Sequence, residues 1–198
     1  MLIEHEGKRP SVADSAYVAP TAVVCGDVRI GADCRILFGA VLTAEGGSIE
    51  LGERCIVMEN AVIRGREDHP VELGKHVLIG PHAHVNGARI EDDAFLATGA
   101  SVFPGACIGQ ASEVRIGAVV HVNTRLREGT MVPIGWIAVG DPAELFPPAA
   151  HERLWPIQQR LDFPRTVFGL DRSEATMERV SGLYAKRFGR HRGDRILD

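Results

Sequence analysis

The sequence predicts a parallel β-helix built from six-residue repeats, and three observations carry that prediction. Val, Ile or Leu recurs at every sixth position through most of the first 132 of the 198 residues. A small side chain recurs four positions after most of these anchors. The 22 glycines and 11 prolines are spread at intervals and gather into no linker. An amphipathic helix needs a period near 3.6 and a half-buried strand a period of 2, so neither accounts for six. A hexad that forms one short strand and one corner does, with three hexads closing a triangular coil.

Taken in order, the anchors run Val12, Val18, Val24, Ile30, Ile36 and Leu42. They resume after the interruption TAEGGSIE at Leu51, Val57 and Ile63, and after RGREDHPVE at Leu73, Ile79 and Val85. One residue is then dropped, and the step of six continues through Ile90, Leu96, Val102, Ile108, Val114, Val120, Leu126 and Val132. Anchors three hexads apart lie above one another. Face one therefore starts at Val12, face two at Val18 and face three at Val24. The branched anchors fill the interior. Small residues such as Ala22, Cys34, Ala61 and Ala100 fit behind the corners, and glycines such as Gly39 and Gly105 tolerate unusual turn angles. Backbone hydrogen bonds pass from coil to coil. Both interruptions follow face three and are expected to protrude from one edge as loops, where function tends to lie.

From about Val139 the period stops. The sequence divides into a β-helix over residues 9–142 and a helical extension over 143–198 that packs on it. A short helix is expected over His151–Leu161, bent or restarted at Pro156. Asp171 and Glu174 have the spacing of a capping box. Met177, Val180, Tyr184 and Phe188 form one helical face, with Gly189 as its stop.

An apolar fraction of 45% and a net charge of −4 exclude a disordered chain. No run of 18 apolar residues suggests a membrane span. No secretory h-region appears in the first 30 residues, so a cytoplasmic protein is expected. A pI near 6.1 argues against a nucleic-acid partner. Cys25, Cys34, Cys55 and Cys107 form no CxxC pair, and buried free thiols are expected.

The opening RPSVADSAYVAPTAVVCGDVRIG, the two interruptions, the IG-containing coil after the second, and the ending VGDPAEL resemble the γ-class carbonic anhydrase-like branch of hexapeptide-repeat proteins. The resemblance covers roughly residues 9–145. It implies a left-handed β-helix, a C-terminal helix along its side, and a homotrimer with three-His zinc sites between subunits. It also places those ligands. The first falls on Arg64, and the other two, in the segment Ile79–Gly87, fall on Pro81 and Asn86. The family's Arg-Gly-Asp is Thr43-Ala44-Glu45 here, and its Gln is Met58. A permanently charged Arg repels a dication, Pro offers no ligand side chain, and Asn is a weak ligand. The expectation is therefore no zinc at the family position, no cofactor, and no zinc-hydroxide hydration of CO2.

What stands in that place is read as a polar row on face three, with Arg64, Asn86 and Thr43, and Glu45 beside them, as ligand-binding residues. Two readings are open: an ion pair of Arg64 with Glu45, Glu59 or a neighbouring subunit, or a pocket for a small anion. His82, His84 and Glu59 are the candidate catalytic groups. His84 is expected at a corner, and His82 looking outward. His121 shares the phase of Arg64 and Asn86, but two coils, about 10 Å, separate it from Asn86. A relocated metal site would draw on His69, His82 and His84. The functional expectation is a trimeric scaffold without the usual zinc site, acting as a structural protein or as a divergent enzyme on a small polar ligand. The alternative is a CoA-dependent acyltransferase with a His general base, although Glu144 stands where a basic residue would suit CoA phosphates.

Overall fold

Each short strand pairs with the strand one coil before it and one coil after it rather than with its neighbour in sequence. The computed structural model describes residues 1–197. The architecture is a left-handed parallel β-helix of about 8 turns with a short helical region at the C-terminal side. The six-residue register holds throughout. On the first face Val12 pairs with Ile30, Ile30 with Leu51, Leu51 with Leu73, and so on to Leu126. On the second the ladder runs from Val18 to Val132. On the third it runs Val24, Leu42, Ile63, Val85, Val102, Val120 and ends on Ala138.

Every anchor from Val24 to Val132 is buried, whereas Val12 and Val18 in the first coil are only partly so. Val12 and Val18 lie on the first strands of their sheets with no coil before them, whereas Leu126 and Val132 at the other edge are buried. Each fully buried Leu, Ile or Val contributes about 1.5–3 kcal/mol relative to exposure. The four cysteines are free thiols, three of them buried. Cys34 and Cys55 fill the corner column, each donating to a glycine carbonyl of the next coil at 3.0 Å.

The two interruptions do not project as loops. They lengthen the third face: the strands Val41–Glu45 and Val62–Arg66 have five residues each and pair over their full length. Only residues 46–48 and 67–70 turn before the strands Ile49–Leu51 and Val71–Leu73 restart the coil. Gly47 makes this turn feasible. A Cβ there would stand 1.8 Å from the Arg66 carbonyl oxygen.

Chain ends close the third sheet. The strand Leu2–Glu4 is added before the first full coil and pairs antiparallel with Arg195–Leu197. At the opposite end Glu144–Phe146 folds back antiparallel on Ile137–Val139. The third sheet thus has 10 strands and the other two have 7. Antiparallel capping shields the open edges from pairing with another chain.

Between these caps the tail runs the length of the third face as α1 (His151–Arg160), α2 (Phe163–Phe168) and α3 (Met177–Phe188). Pro156 lies inside α1 without ending it. The expected capping box does not form. The N-cap of α3 is Thr176, whose Oγ1 accepts the Arg179 N–H at 3.3 Å, while Asp171 accepts a side-chain bond from Arg165. Gly189 does not stop the chain in a left-handed turn; it is right-handed and leads into the 3-10 helix Gly189–Gly193. Of the expected face, Val180 is buried, but Met177 at the frayed first turn is 65% exposed. Among the described residues, no helix is long and apolar enough to cross a membrane.

Candidate functional site

Strand alternation decides which side chains leave the core of the third face. With Leu42, Ile63 and Val85 pointing in, the residues one place later point out. Register then puts Cys25, Thr43, Arg64 and Asn86 side by side on four adjacent strands. One place before the anchors, Val41, Val62 and His84 form a parallel row. His84 is therefore a strand residue facing outward, and not a corner residue. His82 is the corner residue, exposed and left-handed at φ 56°.

The tail covers this surface. Tyr184 and Phe188 of α3, with Arg187, close over Glu45, Arg64, Arg66 and Asn86, leaving a cavity of about 10 Å³. That is room for about one water molecule. The Arg64 guanidinium lies 5.5 Å from the centroid of the Phe188 ring. Arg66 is buried beside it and donates to the Val167 carbonyl at the end of α2. An aromatic chain continues across the helices, from Phe163 to Phe168, Tyr184 and Phe188. Tyr184 and Phe188 were visible in the sequence as a helical face. Their landing site was not, because it depends on where the tail docks.

Within this covered surface, three polar atoms of the row have no hydrogen-bond partner among the described residues: Thr43 Oγ1, Arg64 Nε and Asn86 Oδ1. Asn86 is 9% exposed. Buried polar groups are nearly always paired, and each one left unpaired costs about 1–3 kcal/mol. Three on adjacent strands make a polar surface ready for a ligand or an ordered water. Among the described residues, Arg64 forms no ion pair with Glu45 or Glu59. Glu45 instead faces His191 in the tail, its Oε1 3.1 Å from Nε2.

The histidines are divided among different environments. Burial, reinforced by the Arg64 charge, lowers the pKa of His84 and keeps it neutral near pH 7. Burial also lowers that of His121, whose Nδ1 has no partner and whose ring packs on Phe163. Burial, then the Arg66 charge, lowers that of His69 in the second turn. His69, His82 and His84 are not among the residues that converge into a metal-holding group within the described chain. Glu59 follows the second-face strand Ile56–Val57, and its carbonyl accepts the His82 N–H at 3.0 Å. The backbone thus joins two of the three candidate catalytic residues on a half-exposed corner, away from the covered row. A groove of about 490 Å³ lies on the first face; it is lined by Glu50, Glu72, Glu91 and Asp92 and gathers none of the candidate site residues.

No protein-family profile matches the chain. It is 31% identical over 158 residues to "Gamma carbonic anhydrase 1, mitochondrial" of Arabidopsis thaliana, an alignment covering 77% of this chain and 55% of the relative. The chain thus spans about half the length of that curated relative. Among solved structures it resembles a hexapeptide transferase family protein from Anaplasma phagocytophilum. There the TM-score is 0.52 at 23% identity, over 93% of this chain and 96% of the other. It likewise resembles a UDP-N-acetylglucosamine O-acyltransferase from Moraxella catarrhalis, with TM-score 0.51 at 18% identity, over 96% and 92% of the two chains. The structural likenesses show the fold. The sequence relatives include several γ carbonic anhydrases.

Proposed function

We propose that this homologue of the γ carbonic anhydrases is a trimeric binding scaffold that holds a small anionic or polar ligand on the Thr43–Arg64–Asn86 row and does not hydrate CO2 through zinc there. The observation that carries this reading is the alignment of three unpartnered polar atoms on adjacent strands of the third sheet. An Arg fork, an amide and a hydroxyl in a water-poor site suit a carboxylate or bicarbonate-sized anion. The Arg donates two parallel bonds, and the amide and hydroxyl fix orientation. Bound zinc does not suit the row, because Arg64 brings a permanent positive charge to its centre.

Access requires α3 to yield, since the cavity under Tyr184 and Phe188 is about 10 Å³. Ligand affinity therefore includes the cost of displacing those rings. Trimer formation is supported by exposed apolar side chains along the second face and its corner with the third: Phe38, Ile116, Met131 and Ile134, each more than half exposed. Such a patch is characteristic of an interface between copies.

Thermal unfolding in bicarbonate, formate and acetate tests the reading, with Arg64→Met as the control. A dose-dependent rise in Tm in the wild type and none in Arg64→Met is expected, with no CO2 hydration by zinc-loaded protein. Equal responses in both proteins, or hydration that Arg64→Met abolishes, would overturn it. Stabilisation by acetyl-CoA instead would favour the acyltransferase reading, in which His84, held neutral by burial, supplies a general base.

A further inference from the structure

Where the third sheet begins, four side chains from distant parts of the chain converge. His5 follows the strand Leu2–Glu4, and Cys25 ends the strand Val23–Cys25. His191 lies in the 3-10 helix Gly189–Gly193, and Asp194 caps it. One donor atom from each lies within 4.8 Å of all the others. His5 and Cys25 are buried, at 4% and 2% exposure, and the other two are half-buried.

We infer that His5, Cys25, His191 and Asp194 form a structural site for a zinc-type divalent cation, at the Cys25 end of the row and sharing no ligand with Thr43, Arg64 or Asn86, that fastens the tail to the first coils. Its donor set is two imidazoles, a thiol and a carboxylate, all ordinary ligands of zinc, and the thiol disfavours magnesium or calcium. Bond lengths of about 2.0–2.3 Å in a tetrahedron separate neighbouring ligand atoms by about 3.3–3.8 Å. The observed separations fall on both sides of that spacing, from 2.6 Å between His5 Nδ1 and Asp194 to a limit of 4.8 Å for the whole group, so a bound cation would part some donors and draw others together. Four protein donors with no fifth position describe a closed, structural site and not a catalytic one.

Orientation supports the assignment. His5 Nδ1 and His191 Nδ1 both turn to the Asp194 carboxylate, at 2.6 and 2.7 Å. Cys25 Sγ lies 3.8 Å from the same carboxylate. The two rings stack at 4.3 Å between centroids, so their Nδ1 edges meet on one side. The far nitrogen of His191, Nε2, faces Glu45 Oε1 at 3.1 Å. A carboxylate on the outer nitrogen is the arrangement typical of ligating histidines, and a bound cation would take the place of the hydrogen that Nδ1 shares with Asp194. Thiolate and Asp194 together balance a dication, with Glu45 as an outer anion. The ligands are separated by as much as 189 residues, so a bound ion cross-links both ends of the chain.

The full-length protein, stripped with a chelator and titrated with zinc chloride, provides the test. One zinc per chain is expected in the wild type, in Arg64→Met and in His84→Gln. Cys25→Ser and Asp194→Asn should lose stoichiometric binding, with circular dichroism confirming that each variant is folded. Glu45→Gln should weaken affinity roughly 10–100-fold. Cobalt chloride in place of zinc should give tetrahedral visible bands and a near-ultraviolet thiolate charge-transfer band that Cys25→Ser removes. Absence of stoichiometric zinc in the wild type overturns the inference. So does zinc retained in both Cys25→Ser and Asp194→Asn, or zinc lost in Arg64→Met, which would locate the ion on the row. Failure of the anion reading alone leaves these results unchanged.

Discussion

The Arg64 guanidinium lies 5.5 Å from the Phe188 ring, joining a residue of the extended strand Val62–Arg66 to the last turn of α3. Through this contact the tail becomes the roof of the polar row. Arg64, which the family resemblance places at a subunit boundary, packs against the tail of its own chain.

The stability of that contact is a balance of two effects. A partly desolvated cation–π pair contributes about 0.5–2 kcal/mol. The unpartnered Nε beneath it costs about 1–3 kcal/mol. Arg64→Met keeps the stem packed and removes both. Its unfolding free energy in ligand-free buffer is expected to stay within about 1 kcal/mol of wild type by urea denaturation, or to rise. A loss above about 3 kcal/mol would show that Arg64 is a structural clamp.

Acid should destabilise the fold through His84 and His121. Burial lowers the pKa of each in the folded chain below the ordinary value of 6.5. Between the folded and unfolded values the unfolded chain binds more protons, so the contribution is complete above about pH 6.5 and is lost as pH falls through that window. Urea midpoints measured from pH 7.5 to 5 should drop less steeply in the His84→Gln/His121→Gln double variant than in wild type. Parallel curves would contradict the assignment.

Core and tail positions should separate cleanly. Ile79 is fully buried between Val57 and Leu96, and Ile79→Ala should cost about 2–5 kcal/mol. Met177 belongs to the same periodic face as Val180 in sequence but is 65% exposed, so Met177→Ala should lie within about 0.5 kcal/mol of wild type. Equilibrium denaturation of both variants checks the contrast.

The turn after the first long strand tolerates no side chain at Gly47. A Cβ on Gly47 would meet the Arg66 carbonyl oxygen at 1.8 Å, whereas one on Gly99 meets nothing within 4 Å and suffers only its left-handed φ of 68°. Gly99→Ala should cost about 1–2 kcal/mol. Gly47→Ala should cost more and should disturb the pairing of Glu45 with Arg66, seen as faster amide exchange at the ends of both strands.

The coil was legible because its information is local and repeated. Each anchor from Val12 to Val132 names its own face, and counting three hexads on, with the two interruptions and the dropped residue allowed for, reproduces the ladders. The same ruler placed Thr43, Arg64 and Asn86 on one row. It misjudged the interruptions because five-residue strands and protruding loops have similar composition, and only pairing between Val41–Glu45 and Val62–Arg66 distinguishes them. The capping box at Asp171 failed for a related reason: Arg165, brought near by the turn after α2, competes for the carboxylate.

By itself, then, the sequence determined the β-helix, its three faces, and the sharing of one row by Thr43, Arg64 and Asn86. Tertiary structure alone decided what lies above that row and what closes the ends of the sheet. The periodic part needs only neighbours one coil away. The tail runs back along the whole third face, and no short-range pattern encodes where Phe188 meets Arg64 or where His191 and Asp194 meet His5 and Cys25. Those meetings depend on the docking of three helices through long-range packing.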